Sequence, residues 1–473
     1  MIAQKKDSFP KTPTGISGLD EITSGGFPKG RPVLICGSAG CGKTLFATQF
    51  LVKGITDFNE PGVFMSFEET AGDLSQNVKS LGFDLETLKT QKKLRVDHVR
   101  IERSEIEETG EYDLEGLFIR LNYAIDSIGA KRVVLDTIES LFAGMDNLAV
   151  LRSEIRRLFQ WLKEKGVTAI ITGERGENTL TRQGLEEYVS DCVILLDFRV
   201  IDQIATRRLR VVKYRGSMHG TNEYPFLIDE HGISVIPVTS LKLDYKSPKE
   251  IISTGLPALD RLFSAGGIYR ASSTLLTGTA GTSKTILAAH FAMSSCRRKE
   301  RVLYFSFEES PDQLLRNMAT IGINLKPQIK SGLLLIHASR PSLQGLEMHL
   351  LVLNKLMGEF KPRTVIIDPI SSLITIGSSS EVRGMLIRLM DTLKINQINA
   401  LFTSLTHLTG NEYSDATIDA VSSLADNWLN VRNEERDDER VRSLLIVKAR
   451  GMGHFNHRQN FIITNKGIQF QTV

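Results

Sequence analysis

The chain has 473 residues, of which 41% are hydrophobic and 24% are charged. This balance is typical of a globular protein with a large core, so it excludes an intrinsically disordered chain, and the length predicts two or three domains. The net charge of +3, from 58 Lys and Arg against 55 Asp and Glu, is too small to give the strongly basic face that non-specific nucleic-acid binding requires, which leaves a local basic patch as the alternative.

The amino terminus and the cysteines bear on the compartment. Residues 1–10 lack the apolar segment of a signal peptide, and no apolar run approaches the roughly 18 residues that span a bilayer. The cysteines are scattered, without paired or metal-ligand spacing. We therefore expect a cytoplasmic protein with no membrane partner, no disulfide framework and no zinc site.

The first predicted element that carries chemistry is a phosphate-binding loop. The apolar strand 33–36 leads into residues 37–44, Gly-Ser-Ala-Gly-Cys-Gly-Lys-Thr, which match G-x-x-x-x-G-K-[ST], and a helical segment follows. In such a loop, backbone N–H groups bind phosphate, the lysine reaches the β- and γ-phosphate oxygens, and the threonine hydroxyl binds Mg²⁺. The candidate ATP-binding residues of this loop are Gly37, Gly40, Gly42, Lys43 and Thr44.

Acidic residues end two later strands of this half. Glu68 and Glu69 follow the apolar run 64–67, and Asp136 ends the run 133–136. A carboxylate at the carboxyl edge of a parallel sheet can hold Mg²⁺ or its waters, and a glutamate there can deprotonate the attacking water or hydroxyl. We interpret the glutamates as candidate catalytic residues and Asp136 as part of the ATP site. A solvated acidic turn is the alternative for the glutamates.

Two cations lie late in the first half, on or beside a predicted strand. Lys213 and Arg215 are far in sequence from their own phosphate loop. Cations on a rigid edge can bind the γ-phosphate held by a neighbouring subunit, as an arginine finger does; a surface ion-pair strand is the alternative. Ser217 and His219 follow in the same segment, and they count as candidate ATP-binding residues by family resemblance alone.

The second half repeats the first. Five sequence blocks recur in the same order, which indicates two homologous domains, and we expect them at residues 1–241 and 251–473, with a polar linker at 242–250. In each half, apolar runs alternate with helical segments. This pattern predicts an α/β fold with a mainly parallel twisted sheet and helices on both faces, and the successive late strands predict an antiparallel extension of that sheet.

The second phosphate loop departs from the motif. Residues 278–285 read Gly-Thr-Ala-Gly-Thr-Ser-Lys-Thr, so Ser283 replaces the last glycine, where a side chain either crowds the phosphate or requires a positive φ. We still expect ATP and Mg²⁺ there, because Lys284 and Thr285 are kept. The candidate ATP-binding residues of this half are Gly278, Gly281, Ser283, Lys284, Thr285, Asp368, Lys448, Arg450 and His454; the candidate catalytic residues are Glu308 and Glu309; and the candidate Mg²⁺ ligands of the two halves are Thr44, Thr285 and Glu308.

Together these blocks resemble the KaiC family, tandem RecA-type P-loop ATPases that include the core protein of the cyanobacterial circadian clock. The resemblance covers residues 14–467, and its most specific parts are the two Glu-Glu pairs, the segment 186–191 and the pattern Lys-x-Arg-Gly-x-x-His in both halves. It implies a double-ring homohexamer with ATP and Mg²⁺ at the subunit interfaces. It also implies a slow ATPase in the first domain, in which Glu68 polarises the attacking water, and an autokinase and autophosphatase in the second.

By the same resemblance, the second domain phosphorylates two adjacent hydroxyl residues across the interface. Aligning Asp426 with Asp191 assigns Ser422 and Ser423 to these positions, and Thr417 resembles a third, auxiliary acceptor. Without the resemblance, a Ser-Ser pair in a polar loop ordinarily means only a turn or a helix start.

The resemblance further implies how the phosphate moves. The γ-phosphate, held by Lys284, Lys448 and Arg450, would transfer in line to a serine hydroxyl, with Glu308 as the base and Mg²⁺ on Thr285. Phosphoserine adds negative charge at the interface, so the protein would act as a timer or signalling switch.

The expected partners follow from the resemblance, and two other functions are weighed against it. We do not expect a KaiA-type activator, because the sequence ends soon after the last predicted strand, whereas the clock protein continues with the tail that its activator grips; a KaiB-like partner stays open. A RecA- or helicase-like DNA-dependent ATPase would need basic or aromatic channel loops, which neither half shows clearly, so we do not expect nucleic acid as a partner. An ATP-gated hexameric scaffold without kinase activity is the third possibility, favoured by Ser283.

Overall fold

The computed structural model describes residues 9–99, 114–141, 148–176, 179–181, 184, 190–201, 204–237, 247–343, 345–377, 379–406, 408–409, 412–413, 421–436 and 439–471. The chain divides into two compact units, Met1–Thr239 and Ser240–Val473, which we call the first and second domains. Each domain is built around one nine-stranded sheet.

The first domain has a parallel sheet with an antiparallel extension. Its strands are β1 (Lys11–Thr12), β2 (Phe27–Pro28), β3 (Pro32–Gly37), β4 (Gly62–Ser66), β5 (Leu94–His98), β6 (Arg132–Asp136), β7 (Thr168–Glu174), β8 (Cys192–Ile201), β9 (Ile204–Tyr214), β10 (Glu223–Asp229) and β11 (Gly232–Val235). The strand order of the sheet is β11-β10-β9-β8-β3-β7-β6-β4-β5. Strands β8, β3, β7, β6, β4 and β5 are parallel, and the pairs from β8 to β11 are antiparallel.

Helices cover both faces of this sheet. They are α1 (Leu19–Ile22), α2 (Lys43–Phe58), α3 (Ala71–Lys79), α4 (Leu85–Thr90), α5 (Glu115–Ile128), α6 (Ile138–Leu141) and α7 (Leu148–Glu164). Val33 and Ile35 of β3 belong to the core that contains Phe50 of α2, whereas Leu34 and Cys36 belong to the core formed with α5 and α7. The two cores arise because successive side chains of a strand point to opposite faces. The predicted α/β architecture and its late antiparallel extension are confirmed.

The second domain repeats this topology. Its strands are β12 (Ile251–Ile252), β13 (Ile268–Tyr269), β14 (Ser273–Gly278), β15 (Val302–Ser306), β16 (Leu334–Ala338), β17 (Thr364–Asp368), β18 (Asn399–Leu405), β19 (Leu408–Thr409), β20 (Glu412–Tyr413), β21 (Asn427–Arg436), β22 (Glu439–Ala449), β23 (Gln459–Thr464) and β24 (Gly467–Phe470). The sheet order is β16-β15-β17-β18-β14-β21-β22-β23-β24, so β14, β18 and β21 correspond to β3, β7 and β8.

The helices of the second domain also follow those of the first. They are α8 (Pro257–Asp260), α9 (Lys284–Arg297), α10 (Pro311–Thr320), α11 (Lys326–Lys330), α12 (Leu346–Phe360) and α13 (Ser379–Ile395), with 3₁₀ turns at Pro341–Leu343 and Ile370–Ile376. Within the described parts of both domains, every helix is too short or too polar to cross a membrane.

A buried arginine links α2 to the parallel sheet of the first domain. Arg132, at the start of β6, is fully buried. Its guanidinium donates to Glu60 Oε2 at 2.7 Å and to the backbone carbonyls of Phe50 and Pro13, each at 2.8 Å. Gly54 of α2 makes room for it, since a Cβ there would lie 2.4 Å from Arg132 Cδ. The arginine therefore satisfies buried acceptors that no neighbouring apolar side chain can satisfy.

Replacing this arginine should destabilise the first domain. Arg132→Met keeps an apolar stem but leaves two carbonyls and Glu60 without their donor, so we expect a loss of about 3 kcal/mol. Urea unfolding followed by tryptophan fluorescence in a Trp428→Phe background measures the loss, because Trp161 of the first domain is then the remaining tryptophan. The exposed Arg120→Met variant serves as the control, and an equal midpoint for the two variants would contradict the assignment.

Candidate nucleotide sites

Both phosphate loops have the same backbone conformation. Gly40 and Gly281 have φ near +74°, and the +103° of Gly42 is matched by +79° at Ser283. Residues with a Cβ rarely adopt this conformation, which costs about 1 kcal/mol. The sequence predicted that Ser283 would either crowd the phosphate or take a positive φ, and the structure shows the positive φ. The loop thus keeps its shape without the motif glycine.

The loop lysine of the first domain donates three hydrogen bonds. Lys43 is 7% exposed, and its Nζ donates to the carbonyls of Gly37 at 2.9 Å and Ser38 at 3.0 Å. A third bond, also a salt bridge, joins it to Glu174 Oε1 at 2.9 Å. Glu174 ends β7, beside the central strand, and sequence reasoning missed it. The available signal was an apolar run ending in an acid, as in the other strands of the site.

The loop lysine of the second domain has a different environment. Lys284 is also 7% exposed, and its Nζ donates to the carbonyls of Gly278 at 2.7 Å and Thr279 at 2.8 Å. Burial lowers the pKa of Lys284 to about 8, and the negative charges of Asp368 and Glu308 oppose this shift. These two carboxylates therefore lie close enough to the loop to act on its lysine.

A buried aspartate ends the strand two places from the central strand of the first domain. Burial raises the pKa of Asp136, against hydrogen bonds from the Thr172 and Thr44 hydroxyls and the charge of Lys43; the charge of Glu68 raises it further. The loop threonine, the loop lysine and the aspartate are thus brought together. A hydroxyl and a carboxylate beside a phosphate loop are oxygen donors of the kind that Mg²⁺ prefers.

The equivalent aspartate of the second domain has two hydroxyl donors. Asp368 accepts a hydrogen bond from Tyr304 Oη at 2.6 Å and another from the Thr403 hydroxyl. Burial, together with the charge of Asp368, raises the pKa of Tyr304 well above its ordinary value, so the tyrosine remains a donor. These bonds fix the carboxylate at the edge of the sheet where the phosphate loop lies.

The two glutamates of the first pair point in different directions. Glu68 Oε1 accepts from Thr137 Oγ1 at 2.9 Å and Ser140 Oγ at 2.7 Å, just beyond the end of β6. Glu69 instead accepts from Asn77 of α3 at 3.3 Å. The first glutamate therefore faces the aspartate strand, and the second is held against a helix.

The second pair shows the same division. Glu308 accepts from Ser372 Oγ at 3.1 Å, in the turn after β17. Glu309 accepts from Asn317 of α10 at 3.2 Å. Burial raises the pKa of Glu309, and nearby Asp368 and Glu308 add to the shift. In both domains the sequence predicts the pair, but the structure distinguishes its two members.

The late cations, Lys213 and Arg215 in the first domain and Lys448 and Arg450 in the second, lie at the opposite edge of the sheet from the phosphate loop of their own domain. Lys448 pairs with Trp428 at the start of β21, which runs parallel to the central strand and pairs there with Leu275. Gly278, where the loop begins, is three residues further along the central strand, roughly 10 Å away, and two strands across add about 10 Å. Lys213 has the equivalent position in the first domain. Neither lysine can reach its own loop.

The serine pair of the second domain lies against these cations. Lys448 Nζ donates to the carbonyls of Ser422 at 2.8 Å and Ser423 at 3.3 Å, and the Arg450 guanidinium donates to the carbonyl of Ser423. Ser422 is half-buried and Ser423 is exposed. Thr417 lies outside the described residues.

Backbone hydrogen bonds within each domain show which residue of the first domain corresponds to Asp426. The Asp191 N–H donates to the Pro32 carbonyl at 3.3 Å, and the Asp426 N–H donates to the Ser273 carbonyl at 2.9 Å. Arg450 N–H then donates to the carbonyl of Asp426, just as the corresponding arginine does to Asp191 in the first domain. The two aspartates therefore occupy equivalent positions, which supports the alignment used to choose the serines.

The remaining predicted residues make local contacts. Ser217 Oγ accepts from Lys11 Nζ at 2.6 Å. The Nδ1 atoms of His219 and His454 lie 2.9 and 3.2 Å from the carbonyl of the residue that follows each histidine. Arg215 lies 3.7 Å from Asp191. These residues share the edge of the late cations and not that of the phosphate loops.

The fold and the features of the two sites define the class of protein to which the chain belongs. A nine-stranded sheet with a phosphate loop after its central strand, and an aspartate two strands away, is a RecA-like P-loop NTPase domain, and this chain contains two in tandem.

Comparison with known proteins gives the family. A family model described as "ATPase: KaiC" matches residues 12–240 and again 252–472. The chain is 54% identical over 461 residues to "Circadian clock protein KaiC2" of Synechocystis sp., covering 98% of this chain and 81% of that protein. It is 37% identical to "Circadian clock oscillator protein KaiC" of Synechococcus elongatus, covering 97% and 89%. The chain belongs to the KaiC family of ATPases.

Proposed function

We propose that this protein is a homohexameric ATPase whose second domain phosphorylates and dephosphorylates Ser422 and Ser423 at the subunit interface. The observation that carries the proposal is that these serines lie with Lys448 and Arg450 at the edge opposite their own phosphate loop. Incubation with Mg-ATP, followed by intact-mass measurement and phosphosite mapping, tests it.

The residues present fit ATP and Mg²⁺. Both loops have positive φ values at equivalent positions, and a Cβ built at Gly40 or Gly281 meets no atom within 4 Å, so the loop is open there. Lys43 and Lys284 would bind the phosphate oxygens, while Thr44 and Thr285 would hold Mg²⁺, whose charge would neutralise the phosphates.

An interfacial site follows from the reach of the cations. Lys448 and Arg450 are too far from their own phosphate loop to contact a nucleotide there, so a nucleotide that they bind must belong to another copy of the chain. A heterologous contact of this kind gives a ring when the rotation between copies closes and an open filament when it does not. The assembly that we propose is the closed ring of the KaiC family, a hexamer. The serines would then enter the neighbour's site together with the cations.

Glu308 is the proposed base of the kinase reaction. Its carboxylate lies beside Ser372 and acts electrostatically on the loop lysine. It would take the proton of the attacking serine hydroxyl as the serine oxygen bonds to the γ-phosphorus and ADP leaves. Lys284 and the neighbour's cations would stabilise the transferring phosphate.

Glu68 is the proposed base for hydrolysis in the first domain, and we expect its substitution to abolish hydrolysis there. Glu68→Gln keeps the size of the side chain and its acceptor for Thr137 and Ser140 but cannot accept a proton, so ATP turnover by that domain should fall about 100-fold or more. Phosphate release, measured in the Lys284→Ala background, isolates the first domain.

Glu69→Gln is the matched control for this experiment. Glu69 contacts Asn77 of α3 instead of the aspartate strand, so its substitution should change turnover less than tenfold. Size-exclusion chromatography with ATP should show the same assembly for both variants. Dissociation of the Glu68→Gln assembly, or equal losses of turnover in the two variants, would contradict the assigned role.

A nucleotide-gated scaffold is the second candidate function. It is favoured by the positive φ of Ser283, because strain in the second loop can weaken productive phosphate positioning. ATP-dependent assembly and hydrolysis without phosphate incorporation would support it.

The relatives named as circadian clock proteins suggest what phosphorylation would do. A phosphoserine carries about −1.5 to −2 charges, and Ser423 lies beside the cations of the proposed interface. Phosphorylation would change how these cations are shared between the serine segment and the nucleotide. We propose that this change makes the protein a phosphorylation-state switch with a timing role.

A further inference from the structure

The two phosphate loops differ in one buried contact. In the first domain, Glu174 Oε1 lies 2.9 Å from Lys43 Nζ. In the second domain, the register of the sheet places Leu405 opposite Gly278, just as Glu174 lies opposite Gly37. The same register position therefore carries a carboxylate that contacts the loop lysine in the first domain and an apolar residue in the second.

A supporting residue differs in parallel. The Glu174 N–H donates to Glu139 Oε1 at 2.5 Å, whereas the Leu405 N–H donates to Ser371 Oγ at 3.0 Å. The end of β7 is thus anchored by a second acid, and the end of β18 by a neutral hydroxyl. At these two corresponding positions the first domain has carboxylates, Glu174 and Glu139, where the second domain has Leu405 and Ser371.

The donors of the lysines show the consequence. An ammonium group has three N–H donors. Lys43 uses them on Gly37, Ser38 and Glu174, whereas Lys284 has two loop carbonyls as its described partners. A γ-phosphate that binds Lys43 must displace the carboxylate or lie beside its negative charge, and either event weakens binding in a partly buried site.

We propose that Glu174 competes with the γ-phosphate for Lys43, so that the first site prefers ATP over ADP less strongly than the second site does. This inference rests on the proposed nucleotide sites. Glu174 is a positioning residue here, because it acts through the lysine. Its effect falls on ATP more than on ADP, since the loop backbone supplies much of the β-phosphate binding.

The test compares ADP with a non-hydrolysable ATP analogue at each site of the full chain. Glu174→Gln, measured in the Lys284→Ala background, removes the charge but keeps the shape. We expect the affinity ratio of analogue to ADP at the first site to rise about tenfold. Leu405→Glu, measured in the Lys43→Ala background, should lower the same ratio at the second site about tenfold, and Leu405→Gln is its neutral control.

The outcomes separate the inference from the function on which it rests. An unchanged ratio in Glu174→Gln overturns the inference, and so does a lower one, because Glu174 would then hold Lys43 ready for the phosphate. Failure of both nucleotides to bind the first site with Glu174 intact overturns the proposed nucleotide site itself. If Leu405→Glu fails to fold, as judged by circular dichroism, Glu174→Gln alone decides.

Discussion

Mg-ATP is expected to phosphorylate the full chain at Ser422 and Ser423, and the Ser422→Ala, Ser423→Ala double variant is expected to lose that phosphate completely. The double variant removes only two hydroxyl oxygens, because the backbone carbonyls of both residues, which Lys448 and Arg450 bind, are kept. The acceptor is therefore deleted without deleting the contacts that hold the segment. Intact mass followed by peptide mapping measures the result.

The single variants and an unrelated serine complete this experiment. Ser423 is exposed and Ser422 is half-buried, so we expect Ser422→Ala to retain more phosphate than Ser423→Ala. Ser331→Ala, an exposed serine in the turn after α11, should change nothing. An unchanged phosphate content in the double variant would move the acceptor elsewhere. Hydrolysis without phosphate on the wild-type chain would favour the scaffold.

The sequence predicted the parts of the fold that local patterns determine. Successive apolar residues such as Val33 and Leu34 must face opposite sides of a buried strand. The motif that follows them predicts a phosphate loop between that strand and a helix. The repeat then predicted a second copy of the same sheet. These features depend on residues close together in the chain, so they could be identified without the structure.

The details of the site depend on contacts between distant segments. Glu174 and Lys43 lie 131 positions apart, and nothing local indicates that β7 ends beside the loop lysine. The different directions of Glu68 and Glu69 likewise depend on Thr137 and Ser140, which follow the end of the neighbouring strand β6. Residue types therefore predicted the chemistry, whereas register and packing determine which residue of each pair faces it.

The position of the late cations is the clearest feature that topology determines and residue type does not. Sequence alone left open whether Lys448 and Arg450 serve a neighbour's nucleotide or a surface ion pair. The pairing of β22 with the start of β21 places them away from their own phosphate loop, because that loop follows a parallel strand and so lies at the carboxyl edge of the sheet. Topology, and not residue type, therefore favours a site shared between subunits.

Mixing two inactive variants is expected to restore autophosphorylation. Lys284→Ala removes the loop lysine, and Lys448→Ala, Arg450→Ala removes the cations, so each variant alone should lose about 1,000-fold or more of the phosphorylation rate. In an equimolar mixed ring, about a quarter of the interfaces combine an intact loop from one variant with intact cations from the other. Labelled phosphate from γ-labelled ATP should return to roughly that fraction of the wild-type rate.

The labelled acceptor identifies which subunit donates each part. The serines share an edge with the cations, so in the mixture phosphate should appear on the Lys284→Ala chain, which a mass-distinguishable tag reveals. A site contained within one chain predicts no recovery at any mixing ratio, because every chain then carries a defective site. Mixing the Lys284→Ala variant with itself gives the background, and subunit exchange monitored by energy transfer ensures that a missing recovery reports on the site and not on slow assembly.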